Sequence, residues 1–139
     1  MKQHQTNFLV ATRGQGLTDI TGEVAIAVAA AGIETGLATV FIRHTSASLL
    51  IQENADPDVQ RDLAVFFQRL VPDGDPLFVH TSEGPDDMSA HVKTALTQTS
   101  LSIPVTGGRL ALGAWQGIFV FEHRTMPHRR SVVVHVAGA

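Results

Sequence analysis

Cysteine is absent from this 139-residue chain. That removes disulfides, zinc–thiolate centres and thiol nucleophiles together, and it fits a reducing compartment. Tyrosine is absent as well, and tryptophan occurs once, at Trp115. No charge of either sign dominates: the formal net charge is −3, so there is no general electrostatic case for nucleic acid or for an anionic membrane. Long apolar runs are missing too. The longest, Val24 to Ala31, falls far short of the roughly 20 residues that span a bilayer. The N-terminal MKQHQTNF has no sustained apolar segment of the kind a secretory leader needs, and a cytoplasmic location is expected.

What is present is ordinary in bulk. Hydrophobic residues make up 44% and charged residues 17%, as in globular proteins, and the length predicts one domain over 1–139 with a proper core. Seven histidines are the compositional oddity, and their positions matter more than their number.

The coarse pattern alternates short apolar runs with turn signals. Asn7 to Thr12 reads as a strand, and Arg13-Gly14-Gln15-Gly16 as a turn. Thr21 can cap a helix over Gly22 to Ala31, with Glu23 in its first turn and Gly32 ending it. Gly36 to Arg43 and Ser48 to Glu53 read as strands. Asp56-Pro57 starts a second helix, whose Val59, Leu63, Phe66, Phe67 and Leu70 form one apolar stripe. Leu77 to Thr81 reads as a brief strand, and a third helix is expected over about Met88 to Thr97. Strands over Leu101–Val105 and Arg109–Leu112 flank a Gly107-Gly108 hairpin turn. Gly117 to His123 and Arg129 to Ala137 complete the set. The class is α+β: a mainly antiparallel sheet or sandwich with about three helices.

Three stretches carry the chemistry. The first is His44 to Val59, where an imidazole at a strand end is followed by Thr45, Ser46, Glu53 and Asn54. A rigid sheet aims such a histidine well, although capping the sheet edge would explain it equally. The second is His80 to His91. Asp87 or Ser89 can cap the helix there, and His91 sits near the helix N-terminus, where the dipole favours the neutral imidazole that binds metal or accepts a proton. The spacing is not HExxH, so a metal site would have to be assembled from separate elements. The third is Leu112 to Gly117 followed by Glu122-His123-Arg124. Glu122 is either half of a solvated ion pair or a base and orienting partner for a histidine. Arg124, Arg129 and Arg130 form a local positive group suited to phosphate, with the flanking-turn reading stronger for Arg130 than for Arg129. The chain has no GxxxxGK[ST], no Rossmann GxGxxG and no GxSxG elbow.

Together, RHTSASLLIQENADPDV, EGPDDMSAHVK and LGAWQGIFVFEHR closely resemble the YjbQ-like family, also called the secondary thiamine-phosphate synthase family, over about Phe8 to Gly138. The resemblance implies a compact α+β homotrimer with a polar pocket near the subunit interfaces, and a transferase activity that joins a pyrimidine pyrophosphate to a thiazole phosphate. It implies a divalent metal, with zinc the candidate, on His44, His80 and His91. His44, His91 and Glu122 would be catalytic, and Ser46, Asn54, Gln116 and Arg129 would position a phosphorylated small molecule. Ala114 departs from the LGTWQG expected there and removes a hydroxyl beside Trp115. A protein that holds a metal or phosphometabolite in the same pocket without turnover is the alternative.

Overall fold

The structure is a computed structural model describing residues 1–139. Its elements run β1 (Lys2–Ala11), β2 (Gly16–Asp19), α1 (Thr21–Ala31), β3 (Thr35–Ile42), β4 (Ala47–Glu53), α2 (Pro57–Leu70), α3 (Asp87–Leu96), β5 (Ser100–Thr106), β6 (Arg109–Leu110), β7 (Gln116–Glu122) and β8 (Arg129–Gly138). The strands form two antiparallel sheets, ordered β1-β8-β3-β5-β6 and β2-β7-β4. The expected α+β class with three helices is what the chain adopts. No helix is long and apolar enough to cross a membrane.

Local chemistry accounts for most boundaries. Asp56 caps α2, its carboxylate accepting the Asp58 N–H at 2.9 Å, with Pro57 in the first turn; Pro lacks only an N–H that would be orphaned there. Gly32 ends α1 in the left-handed region at φ 63°, where a Cβ is costly. Gly107 and Gly108 both take positive φ in the β5–β6 hairpin, as a type I′ turn demands. β5 alternates strictly between exposed and buried residues, the mark of a sheet with one covered face.

A single core of nineteen buried residues draws on α1 (Val24, Ala27, Val28), the larger sheet (Val40, Ile103, Val134) and the smaller one (Leu49, Ile118, Val120). β7 is buried along nearly its whole length, because its second face lies under helices. Phe67 of α2 meets Phe121 edge-on at 5.4 Å.

Several expectations change. Leu77 to Thr81 is not a strand but part of the connection between α2 and α3, with Leu77 and Val79 almost fully exposed. β2 begins at Gly16, inside what read as a turn. Thr21 does not cap α1 but lies within it; Asp19 accepts its N–H and hydroxyl, and its oxygen takes the Ile118 N–H. No residue of α2 is fully buried, and Phe66 and Leu70 of its apolar stripe remain more than half exposed.

Candidate metal centre

α3 begins at Asp87, so its N-terminal turn carries two consecutive carboxylates, Asp86 and Asp87, and one turn later His91. Asp86 does not cap the helix with its side chain. Its Oδ2 accepts from Arg124 Nε and Thr125 N–H, each at 2.9 Å, and so holds the β7–β8 connection against α3. Burial alone would raise the Asp86 pKa, but the Arg124 and Thr125 hydrogen bonds overcome it and hold the carboxyl at about 2.

Asp87 is 2% exposed and divides its two oxygens between jobs. Oδ1 accepts from Arg124 Nη1 at 2.8 Å. Oδ2 faces two imidazoles, His80 Nε2 at 2.7 Å and His91 Nε2 at 3.1 Å. Burial would raise this carboxyl too, but the His80 hydrogen bond and the nearby His91 and Arg124 charges keep it below the usual carboxylate range.

The geometry of His91 fixes what can sit there. Its Nδ1 lies 2.8 Å from the carbonyl of Thr45, which can only accept, so Nδ1 carries a proton. The Nε2 on the opposite side also faces an acceptor, Asp87 Oδ2. A neutral ring has one proton and cannot satisfy both. The position calls for a positive charge at Nε2, which a second proton or a metal ion can provide. The hydrogen bond from Nδ1 to a backbone carbonyl is also the usual way a metal-binding histidine is oriented.

The ligand atoms of His80, Asp87 and His91 all lie within 4.8 Å of one another. Bonds of about 2.0–2.1 Å at tetrahedral angles would put ligand atoms about 3.3 Å apart; Asp87 Oδ2 stands 3.1 Å from His91 and 2.7 Å from His80, so His80 would have to draw back to admit an ion. Two imidazoles and one carboxylate make a donor set that holds zinc or ferrous iron and leaves positions open for substrate. Beside it, the connection after α2 frames a cavity of about 350 Å³, lined by Asp75, Phe78, His80, Thr81 and Met88 among others.

His44 lies outside this group, whose third member is Asp87. The His44 Nε2 accepts the Ser131 backbone N–H at 2.7 Å, joining the end of β3 to β8. Burial, then the Arg130 and Arg43 charges, lower its pKa and favour the neutral ring. With Nε2 so engaged, the His44 ring ties the end of β3 to β8.

Glu122 is fully buried and surrounded by donors: Arg130 Nε at 2.8 Å, Thr12 Oγ1 at 2.6 Å, and the N–H groups of His123 and Arg124 at 3.1 Å. Burial would raise its pKa, but the Arg130 and Thr12 hydrogen bonds hold it down. A carboxylate so occupied has no lone pair for a substrate proton, so the geometry suits an anchor rather than a base. Ser46 has the same character: it is buried, with its Oγ and carbonyl both accepting from Arg130. Arg130 is 4% exposed, whereas Arg129, the expected phosphate contact, is exposed at the start of β8. Asn54 and Gln116 are exposed at the far end of the smaller sheet. The β4–β7 register places the Glu53–Gln116 pair six residues from the Ala47–Glu122 pair, about 20 Å along the strands. Within one chain they do not meet the histidines.

A family model described as "UPF0047 protein YjbQ-like" matches residues 6–139. The chain belongs to this YjbQ-like family. Among its relatives, UPF0047 protein sll1880 of Synechocystis is 54% identical over 99% of this chain and 93% of its own. UPF0047 protein YjbQ of Escherichia coli O157:H7 is 37% identical over 97% and 98%. Among solved structures, a yjbq/upf0047 family protein from Clostridium acetobutylicum superposes with a TM-score of 0.87 at 36% identity, covering 95% of this chain and 99% of that one. A YjbQ-like protein from Sulfolobus solfataricus gives a TM-score of 0.90 at 24% identity, covering 99% of both chains, and supports the YjbQ-like fold alone.

Proposed function

We propose that this protein is a metal-dependent enzyme acting on a small phosphorylated metabolite, with the ion held by His80, Asp87 and His91. The observation that carries the reading is His91, whose two ring nitrogens both face acceptor oxygens, next to a second imidazole on the same carboxylate oxygen. An ion there, with zinc the candidate, would leave coordination positions open toward the adjoining cavity and could polarise a phosphate oxygen or stabilise a departing anion. Arg124 would keep the Asp87 carboxylate ionised and oriented. His44 and Glu122 would act through Arg130 and the backbone, positioning the loop that carries Thr45.

The reaction to try first is thiamine-phosphate synthesis, in which a pyrimidine pyrophosphate loses pyrophosphate and is captured by the ring nitrogen of a thiazole phosphate. Imidazole-rich donor sets suit zinc better than the magnesium usual in pyrophosphate chemistry, which favours this activity as a secondary one. A homotrimer is the assembly we propose, since Asn54, Gln116 and Trp115 of one chain could then stand near the histidines of another. The deciding experiment is metal analysis of purified protein and its Asp87→Asn variant, followed by turnover assays with the two phosphorylated substrates. One ion per chain, lost in the variant together with turnover, supports the proposal. Stoichiometric metal with no turnover on any phosphorylated substrate would leave a binding protein, and no metal at all would end the metal reading.

A further inference from the structure

A second cleft, of about 240 Å³, opens where α2 crosses the smaller sheet. None of the candidate metal ligands lines it, so its chemistry is independent of the metal reading. Ala64, Val65, Phe67 and Phe121 supply its apolar lining, and Lys93 and His123 also line it.

Lys93 is 2% exposed yet has no carboxylate within 4.0 Å of its ammonium. Its one hydrogen bond runs to Gln68 Oε1 at 2.6 Å, leaving two of its three N–H donors without acceptors.

His123 is 1% exposed, and its Nδ1 has no partner. A chain of hydroxyls decides which form that nitrogen takes. Thr97 Oγ1 stands 2.8 Å from the Lys93 carbonyl and 2.6 Å from Ser48 Oγ. The carbonyl can only accept, so it takes the single Thr97 proton. Ser48 then donates to Thr97 and accepts from His123 Nε2–H, 2.9 Å away. The ring is neutral, its pKa depressed to about 3 by burial and then by the Lys93 charge. Nδ1 is therefore a bare lone pair. An acceptor left unpaired at that depth is costly, and the same cleft holds the unpaired donors of Lys93.

We infer that this cleft binds a small molecule carrying a primary carboxamide on a flat apolar body. The amide oxygen accepts from Lys93 Nζ, the amide N–H donates to His123 Nδ1, and the body lies against Phe67 and Phe121. An amide is a compact neutral group with an acceptor and a donor in one plane. A carboxylate fits less well: both of its oxygens are acceptors, one of them would meet the Nδ1 lone pair, and Glu122 already lines the cleft. A cationic group would satisfy Nδ1 but be repelled by Lys93. A lone hydroxyl would have to serve both groups from one atom.

Benzamide is a suitable probe, read by the ring-nitrogen resonances of histidine in the native, isotope-labelled protein. His123 Nδ1 should resonate as an unprotonated nitrogen and shift saturably as benzamide is added. Acetophenone, which keeps the ring and carbonyl but replaces the amino group by methyl, should bind at least about tenfold more weakly, a difference of about 1.4 kcal/mol. Lys93→Met should lose benzamide binding by a similar factor, while His80→Ala, outside the cleft, should bind as the native protein does. A protonated Nδ1, or no saturable shift in the native chain, would overturn the inference whether or not the lysine variant folds. So would undiminished binding in Lys93→Met, or acetophenone, benzoate or benzyl alcohol binding as tightly as benzamide.

Discussion

The guanidinium of Arg130, on β8, grips the carboxylate of Glu122, on β7, and joins the larger sheet to the smaller one through a buried ion pair. Thr12 and two backbone N–H groups complete the carboxylate, and Ser46 completes the guanidinium. Removing one partner of such a pair leaves the other charged and dry. Glu122→Gln should therefore destabilise the fold by about 3 kcal/mol, measurable as a lowered denaturant midpoint. A catalytic base would behave differently, losing activity at unchanged stability, so the urea midpoint of this one variant separates the two roles.

The histidines should respond unequally to substitution if the ion is held as proposed. His80→Ala, His91→Ala and Asp87→Asn should each cut zinc affinity by at least about tenfold to a hundredfold, the scale on which even groups outside the coordination sphere act. His44→Ala should retain stoichiometric metal, since its Nε2 is spent on Ser131. Zinc titration by calorimetry on the four variants checks this, and loss of the ion in His44→Ala with retention in Asp87→Asn would reverse the assignment.

Stability should also depend on pH through His123. Burial, then the Lys93 charge, depresses its pKa to about 3, against an ordinary value of 6.5. Between those values the unfolded chain binds a proton that the folded chain does not, so stability rises with pH over this window and is lost on acidification. From pH 7 to pH 5 this group alone should favour unfolding by on the order of twentyfold. Urea melts at the two pH values, compared with those of His123→Phe, isolate the contribution; an equal pH dependence in the variant would rule it out.

Asp56 tests the local reading of α2. Its carboxylate accepts the Asp58 N–H, and Asp56→Ala should cost about 1 kcal/mol, lowering the melting temperature by a few degrees. Asp56→Asn should restore most of that loss.

Much of this architecture is legible in the residue order because local chemistry determines it. Asp56-Pro57 begins α2, Gly107-Gly108 turns the hairpin, and the β-branched run before His44 is a central strand. β2 escapes such reading because Gly14 and Gly16, both at positive φ, look like a simple turn, and only pairing with β7 makes Gly16–Asp19 a strand. The exposed Phe66 and Leu70 show the converse limit, since periodicity states which face is apolar but not whether anything in the chain covers it.

At the candidate centre, the His80 and His91 rings lie 5.5 Å apart, whereas the place of Asp87 beside them depends on side-chain direction. Asp87 read as a helix cap, and that reading hid the relevant spacing: Asp87 and His91 stand four apart on α3, one above the other on the same face. His44 offered the more familiar ligand type. Whether its ring turns toward an ion or toward the Ser131 N–H is decided by β8, remote in sequence.

His80 has a consequence for motion. Asp87 and His91 ride on α3, but His80 belongs to the irregular connection between α2 and α3, with Leu77 and Val79 bare to solvent just before it. An ion shared among the three would staple that connection to the helix. Chelation should release it, so limited proteolysis near Leu77–Val79 would report the occupancy of the centre without any substrate being known.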